Sequence, residues 1–185
     1  ASLQAAVATL RAAHGRIDAL VNNAGYGSYG ALEDVPIAEA RRQFDVNVFG
    51  LVRLSQLVLP LMRAAGRGRI VNISSMGGRI WMPIGGWYHA TKHALEALSD
   101  ALRVEARPFG VDVIVIQPGV IASEWSGIAA ANLARSASGS AWMTESALSR
   151  VRMTPASVAS RPVPAASRRW SSAALASSWP RRRSM

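Results

Sequence analysis

Tyr88 and Lys92 stand four residues apart in the run WYHATKHAL (87–95). On a helix this spacing stacks a phenol and an ammonium one turn apart on the same face. A free phenol, with a pKa of about 10, is a poor general base near neutrality. An ammonium about 4 Å away contributes roughly 4 kcal/mol at an effective dielectric of about 20, and each pKa unit is worth about 1.4 kcal/mol. The pair is therefore expected to lower the phenol by up to about three units, toward the range of a working acid–base group. Lys92 is also the one lysine in a chain with twenty arginines, which favours a need for a compact ammonium on a flexible stem. The plainer alternatives are a solvent-facing helical lysine and a half-buried core tyrosine. Upstream, Ser74 and Ser75 follow a strand-like run, and either hydroxyl could cap a loop or steady a developing oxyanion.

The elements that must hold these groups are legible as alternating helices and short apolar strands. Residues Ala1 to His14 have helical periodicity and stop near Gly15, and DALVN (18–22) reads as a strand followed by the loop NAGYGSYG. Pro36 opens a long helical region to about Ala65, with Gly50 and Pro60 as expected kinks or breaks. RIVNI (69–73) is a second strand, a helix covers about Trp87 to Arg107, and VDVIVIQ (111–117) is a third strand ended by Pro118 and Gly119. Nearly continuous apolar strands separated by helices predict an α/β fold, a partial doubly wound parallel sheet with helices on both faces.

In chain order the motifs are VNNAG (21–25), FDVNVFG (44–50), RIVNISSMGG (69–78), WYHATKHAL (87–95) and VIVIQPGVIAS (113–123). In this set and order the chain resembles the short-chain dehydrogenase/reductase family over most of residues 1–145. The resemblance implies a Rossmann-like sheet of which strands four to six are present. It also implies an NAD(P)-dependent oxidoreductase moving a hydride between the nicotinamide and an alcohol or carbonyl. Ser75, thirteen residues before Tyr88, is the family's serine and so takes precedence over Ser74. Ser75, Tyr88, Lys92 and Asn47 are then the expected catalytic residues, with Asn47 holding a water in a proton relay through Lys92. The alternative for Asn47 is a polar residue kinking a helix. Asn22, Ala24 and Gly25 are expected on the adenosine–ribose side of NAD or NADP, and Pro118, Gly119 and Val120 beside the nicotinamide. Ser123 stands where the family usually has Thr, and Tyr88 and Lys92 also touch the cofactor.

Two departures from the family pattern shape the expectations. The family's glycine-rich phosphate turn lies far upstream of NNAG, which here begins at residue 22, so the cofactor cradle is expected to be partial. The strand at 18–22 is then expected to be an unprotected edge, leaving the chain poorly soluble and weakly active. The match of Gly25 to Gly30 to G-x-G-x-x-G is a decoy, because the next helix begins too late to receive a pyrophosphate. A second reading is a truncated, inactive relative that only binds or dimerises.

Bulk properties bound the rest. Residues 1–145 hold thirteen basic and eleven acidic side chains, whereas 146–185 hold eight arginines and no acid. The net charge of +10 therefore sits in an Arg/Ser/Ala/Pro-rich tail, expected to be disordered or translated out of frame, and without a nucleic-acid recognition motif. The absence of cysteine excludes disulfides and thiolate sites, and three histidines make no metal cluster. No apolar run is expected to span a membrane, no signal peptide is read at the N-terminus, and the expected location is cytoplasmic. The expected partner is a small alcohol or carbonyl, with an apolar one favoured by Ile121, Trp125, Ile128 and Trp142. A homo-oligomer is expected for the full-length protein, through helices 36–65 and 87–107.

Overall fold

The computed structural model describes residues 2–119, 121, 127, 131 and 132. Helix α1 (Leu3–His14) starts at an N-cap where Ser2 accepts a hydrogen bond from the Ala5 amide, and it ends at Gly15 in the left-handed conformation. Strand β1 (Ala19–Asn22) follows, then α2 (Ile37–Phe44), a π-helical turn (Asp45–Gly50) and α3 (Leu51–Ala64). Strand β2 (Gly68–Ile73) leads through a short 3-10 turn (Met76–Gly78) to α4 (Gly86–Ala106), and β3 (Val111–Ile116) closes the series. The expected strands lie within a residue or so of these bounds.

The three strands form one parallel sheet in the order β1-β2-β3, with Leu20 beside Ile70 and Ile70 beside Val113. Alternation then sends Leu20, Ile70, Val111 and Val113 to one face, where Val58 and Met62 of α3 and Ala106 of α4 complete the core. Each fully buried aliphatic side chain there stabilises the fold by about 1.5–3 kcal/mol. The next row on the same face is polar. Asn22 Nδ2 donates to Asn72 Oδ1 at 2.9 Å and to Ser55 Oγ at 3.3 Å, and Asn72 Nδ2 donates to Ser99 Oγ at 2.8 Å. This buried chain ties α3, β1, β2 and α4 in one register, because an unpaired amide there would cost about 1–3 kcal/mol.

Among the described residues, helices cover this face alone. The other face presents Val21, Ile114 and Ile116, which are 60%, 40% and 47% exposed. The expected cover on both faces is thus found on one. Strand β1 pairs with β2 only, so it is the edge strand that the sequence suggests.

The long helical region differs from its expected form. Gly50 has ordinary helical φ of −60°, and Pro60 lies inside α3, so neither breaks the run. The π turn inserts its extra residue and keeps the axis continuous. The resulting 28-residue helix, Ile37–Ala64, is long and apolar enough by length and composition to cross a membrane. The core helix of a soluble protein passes the same test, so the expectation of no membrane span, drawn from Arg53 and Pro60 within residues 51–62, is not overturned. Leu51, Ser55, Val58 and Met62 of this helix are buried, with Val58 and Met62 in the core beside Ile70 of the sheet.

One turn admits only glycine. Gly110 has φ of +71°, and a Cβ there would lie 2.1 Å from the Gly66 carbonyl oxygen. Gly110→Ala is expected to lower unfolding free energy by about 2 kcal/mol or more, measured by urea titration. A loss below about 0.5 kcal/mol would mean that the turn relaxes freely.

Candidate active site

Three segments converge at the C-terminal ends of the strands: the loop after β1, the turn after β2 and the residues after β3. Between them lies a cavity of about 350 Å³, lined by Asn23, Gly25, Tyr26, Ile73, Ser74, Ser75, Tyr88, Lys92, Pro118, Gly119 and Ile121. Ligands of open parallel sheets collect at such strand ends.

Helix α4 carries Tyr88 and Lys92 on its buried face, with residual exposures of 6% and 7%. The Ser75 and Tyr88 hydroxyls are hydrogen-bonded to one another, and Ser75 Oγ also accepts from the Gly77 amide at 3.0 Å. Ser74 Oγ, the rival, is buried without a hydrogen-bond partner. The Tyr88 ring packs against Tyr29, with centroids 5.6 Å apart, and edge-on against His89 at 5.8 Å.

Lys92 does not act on the phenol as expected from spacing. Its Nζ donates to the Ile73 carbonyl oxygen at 2.9 Å and lies 5.9 Å from the Tyr88 ring centroid. Burial raises the Tyr88 pKa, and the Ser75 hydrogen bond offsets only part of that rise. The expected lowering is therefore reversed here, because desolvation of the phenolate dominates. Burial also lowers the Lys92 pKa to about 8, while the Glu96 carboxylate pulls it upward.

Asn47 occupies the π turn at 1% exposure. Its Oδ1 accepts from the Tyr26 amide at 3.0 Å, and its Nδ2 donates to the Tyr26 carbonyl at 2.9 Å and to Thr91 Oγ1 at 3.1 Å. The amide thus clamps the loop after β1 to α4. Gly25 fits this clamp closely: a Cβ there would be 3.1 Å from Asn47 Oδ1 and 3.9 Å from Lys92 Nζ.

Of the other expected cofactor residues, Gly25, Pro118 and Gly119 line the cavity, whereas Asn22 turns into the sheet and Ala24 is exposed outside the lining. Val120 and Ser123 lie outside the described residues, as do Trp125, Ile128, Trp142 and the tail. Asn23, Tyr26 and Ile73 were not anticipated. Their signal was position alone, since Asn23 and Ile73 lie at strand ends and Tyr26 in the loop after β1.

His89 and His93 stand one helical turn apart, and among the described residues no group of three His, Cys, Asp or Glu side chains is placed to hold a metal ion. Each Nδ1 donates to a backbone carbonyl at 2.9 Å, that of Gly77 and that of His89 respectively.

A nicotinamide and its ribose fit the donor set present. Lys92 is an ammonium beside open space, Ser75 and Tyr88 offer hydroxyls, and a Cβ on Gly119 would meet nothing within 4 Å. The volume suits this half of a dinucleotide.

Comparison with known proteins agrees with this geometry. The family model described as short chain dehydrogenase matches residues 1–133. A probable short-chain type dehydrogenase/reductase, VdlC of Helicobacter pylori, is 51% identical over 108 residues, which are 58% of this chain and 40% of the relative. A 3-ketodihydrosphingosine reductase of Bacteroides thetaiotaomicron is 46% identical over 118 residues, 64% of this chain and 44% of the relative. Among solved structures, a gluconate 5-dehydrogenase from Burkholderia cenocepacia in complex with NADP and tartrate superposes with a TM-score of 0.65 at 30% identity. That match covers 67% of this chain and 49% of the neighbour. The chain thus spans less than half the length of each of these three proteins. Its parallel sheet, its clustered Ser75, Tyr88 and Lys92, and the family match over 1–133 together establish that it belongs to the short-chain dehydrogenase family.

Proposed function

We propose that residues 1–145 are the catalytic part of an NAD- or NADP-dependent oxidoreductase acting on an alcohol or carbonyl. The observation that carries this reading is the grouping of Ser75, Tyr88 and Lys92 on a cavity at the strand ends. When bound, the nicotinamide would supply or accept the hydride. Tyr88 is the acid–base group, Ser75 hydrogen-bonds the reacting oxygen, and Lys92 binds the nicotinamide ribose hydroxyls. Pro118 and Gly119 border the ring, and Asn47 holds the loop carrying Gly25. Burial keeps Tyr88 a protonated phenol and leaves Lys92 mostly charged at pH 7. That ionisation state favours carbonyl reduction, in which the phenol gives its proton to the substrate oxygen as hydride arrives at carbon. Ile73 and Ile121 on the wall favour a substrate with an apolar part, and the name of the Bacteroides relative fits this.

The proposed location is cytoplasmic. Glu39, Arg41, Arg42, Asp45, Arg53 and Arg63 on the long helix weigh against a membrane span. A homo-oligomer is proposed through α3 and α4, where Phe49 before α3 and Val104 on α4 are 59% and 63% exposed.

Titrating the chain with NADH and NADPH, read by nicotinamide fluorescence, tests the central claim. Saturable binding tighter than about 1 mM is expected, followed by carbonyl-dependent loss of the reduced nicotinamide. Absence of both overturns the proposal.

A further inference from the structure

Glu96 is the one acid among the buried residues of helix α4, one turn beyond Lys92 and 4% exposed. Its Oε2 receives two donors from different segments. Arg79 Nη2, just past the 3-10 turn that follows Ser75, lies 2.8 Å away. Gln117 Nε2, at the end of β3 beside Pro118, also lies 2.8 Å away. Its Oε1 is buried without a hydrogen-bond partner. A buried carboxylate left half unpaired is a poor device for stability alone, because apolar replacements often serve the fold as well.

What Glu96 joins is the cleft. One loop carries Ser75, the other carries Pro118 and Gly119, and the helix beneath carries Tyr88 and Lys92. The two loops touch through the Met76 amide and the Pro118 carbonyl at 3.0 Å, and Glu96 links them a second time from the helix below. The turn is shaped for this grip. At Gly78 a Cβ would lie 2.8 Å from Glu96 Cγ and 3.1 Å from the Lys92 carbonyl oxygen. His89 supplies a second tie to the same turn through the Gly77 carbonyl.

We propose that Glu96 is a positioning residue. Through Arg79 and Gln117 it sets the distance between the loop of Ser75 and the loop of Pro118 and Gly119, using the helix of Tyr88 and Lys92 as a fixed base. The kinetic part of this inference rests on the oxidoreductase reading, whereas the structural part stands without it.

The test compares the full chain with Glu96→Gln and the shorter but still acidic Glu96→Asp. Hydrogen exchange is read at the amides of Met76, Gly77, Gly78 and Arg79, and at those of β2 and the centre of α4. In Glu96→Gln, exchange at the turn is expected to quicken about tenfold or more while the core amides keep their rates. Glu96→Asp is expected to fall between, which also covers failure of the first variant to fold. Turn exchange equal to the parent's, or a rise spread evenly over the whole chain, overturns the proposal. In the same samples kcat is expected to fall about tenfold or more with the KM for cofactor little changed, since Lys92 is retained. A kcat equal to the parent's also overturns it. If the parent shows no cofactor-dependent turnover, the oxidoreductase reading falls, and the exchange pattern still decides the role of Glu96.

Discussion

Tyr88→Phe is expected to reduce cofactor-dependent turnover by about 100- to 10,000-fold while leaving the fold and cofactor binding nearly intact. The substitution removes one oxygen and keeps the ring, so the contacts with Tyr29 and His89 persist. Stability loses the hydrogen bond to Ser75, a net change of about 0.5–1.5 kcal/mol. Turnover loses the proposed acid–base group. The separation is checked by measuring the rate of nicotinamide oxidation at saturating substrate beside a fluorescence titration of cofactor. A rate within about threefold of the parent would remove Tyr88 from the chemistry.

Lys92→Met is expected to lose turnover about 100-fold or more and to gain stability at neutral pH. Methionine is unbranched and of similar length, so it fills the same space. In the parent, burial lowers the lysine from 10.5 to about 8. Below pH 8 both folded and unfolded chains hold the proton, and the folded chain carries the full penalty of a buried charge, about 3 kcal/mol. Between about 8 and 10.5 the unfolded chain binds a proton that the folded chain lacks, so this group makes parent stability rise with pH. Above 10.5 the lysine is neutral in both states and the penalty is gone. The bond from Nζ to the Ile73 carbonyl is lost in the variant, which offsets about 1–2 kcal/mol. The net gain at pH 7 is about 1–2 kcal/mol. Urea unfolding of both proteins at neutral and alkaline pH reads it, and the gain should shrink as pH rises through the window. A variant less stable than the parent at pH 7 would mean that the carbonyl contact outweighs the desolvation.

Local pattern carried much of the architecture. The three strands, the helical run before Gly15 and its stop there, and the placement of Tyr88 and Lys92 on one helix were all readable from periodicity and turn residues. The long helix was less so. Gly50 and Pro60 carry local penalties, but the packing of Val58 and Met62 against the sheet and a π turn at Asp45–Gly50 outweigh them. Glu96 stands one helical turn beyond Lys92 on α4. Its partners, Arg79 and Gln117, lie 17 and 21 residues away and meet it only in the fold.

Ser75, Tyr88 and Lys92 show the same division. The sequence by itself determined that these three residues exist in family order and that two of them share a helix face, because those are matters of residue type and spacing. Family spacing already put Ser75 ahead of Ser74, whereas only the fold could decide that Lys92 points its ammonium at the Ile73 carbonyl. It also decided that the phenol's pKa rises rather than falls. Spacing measures how far apart two charges are along a chain, but a pKa depends on how much water the folded protein leaves around them.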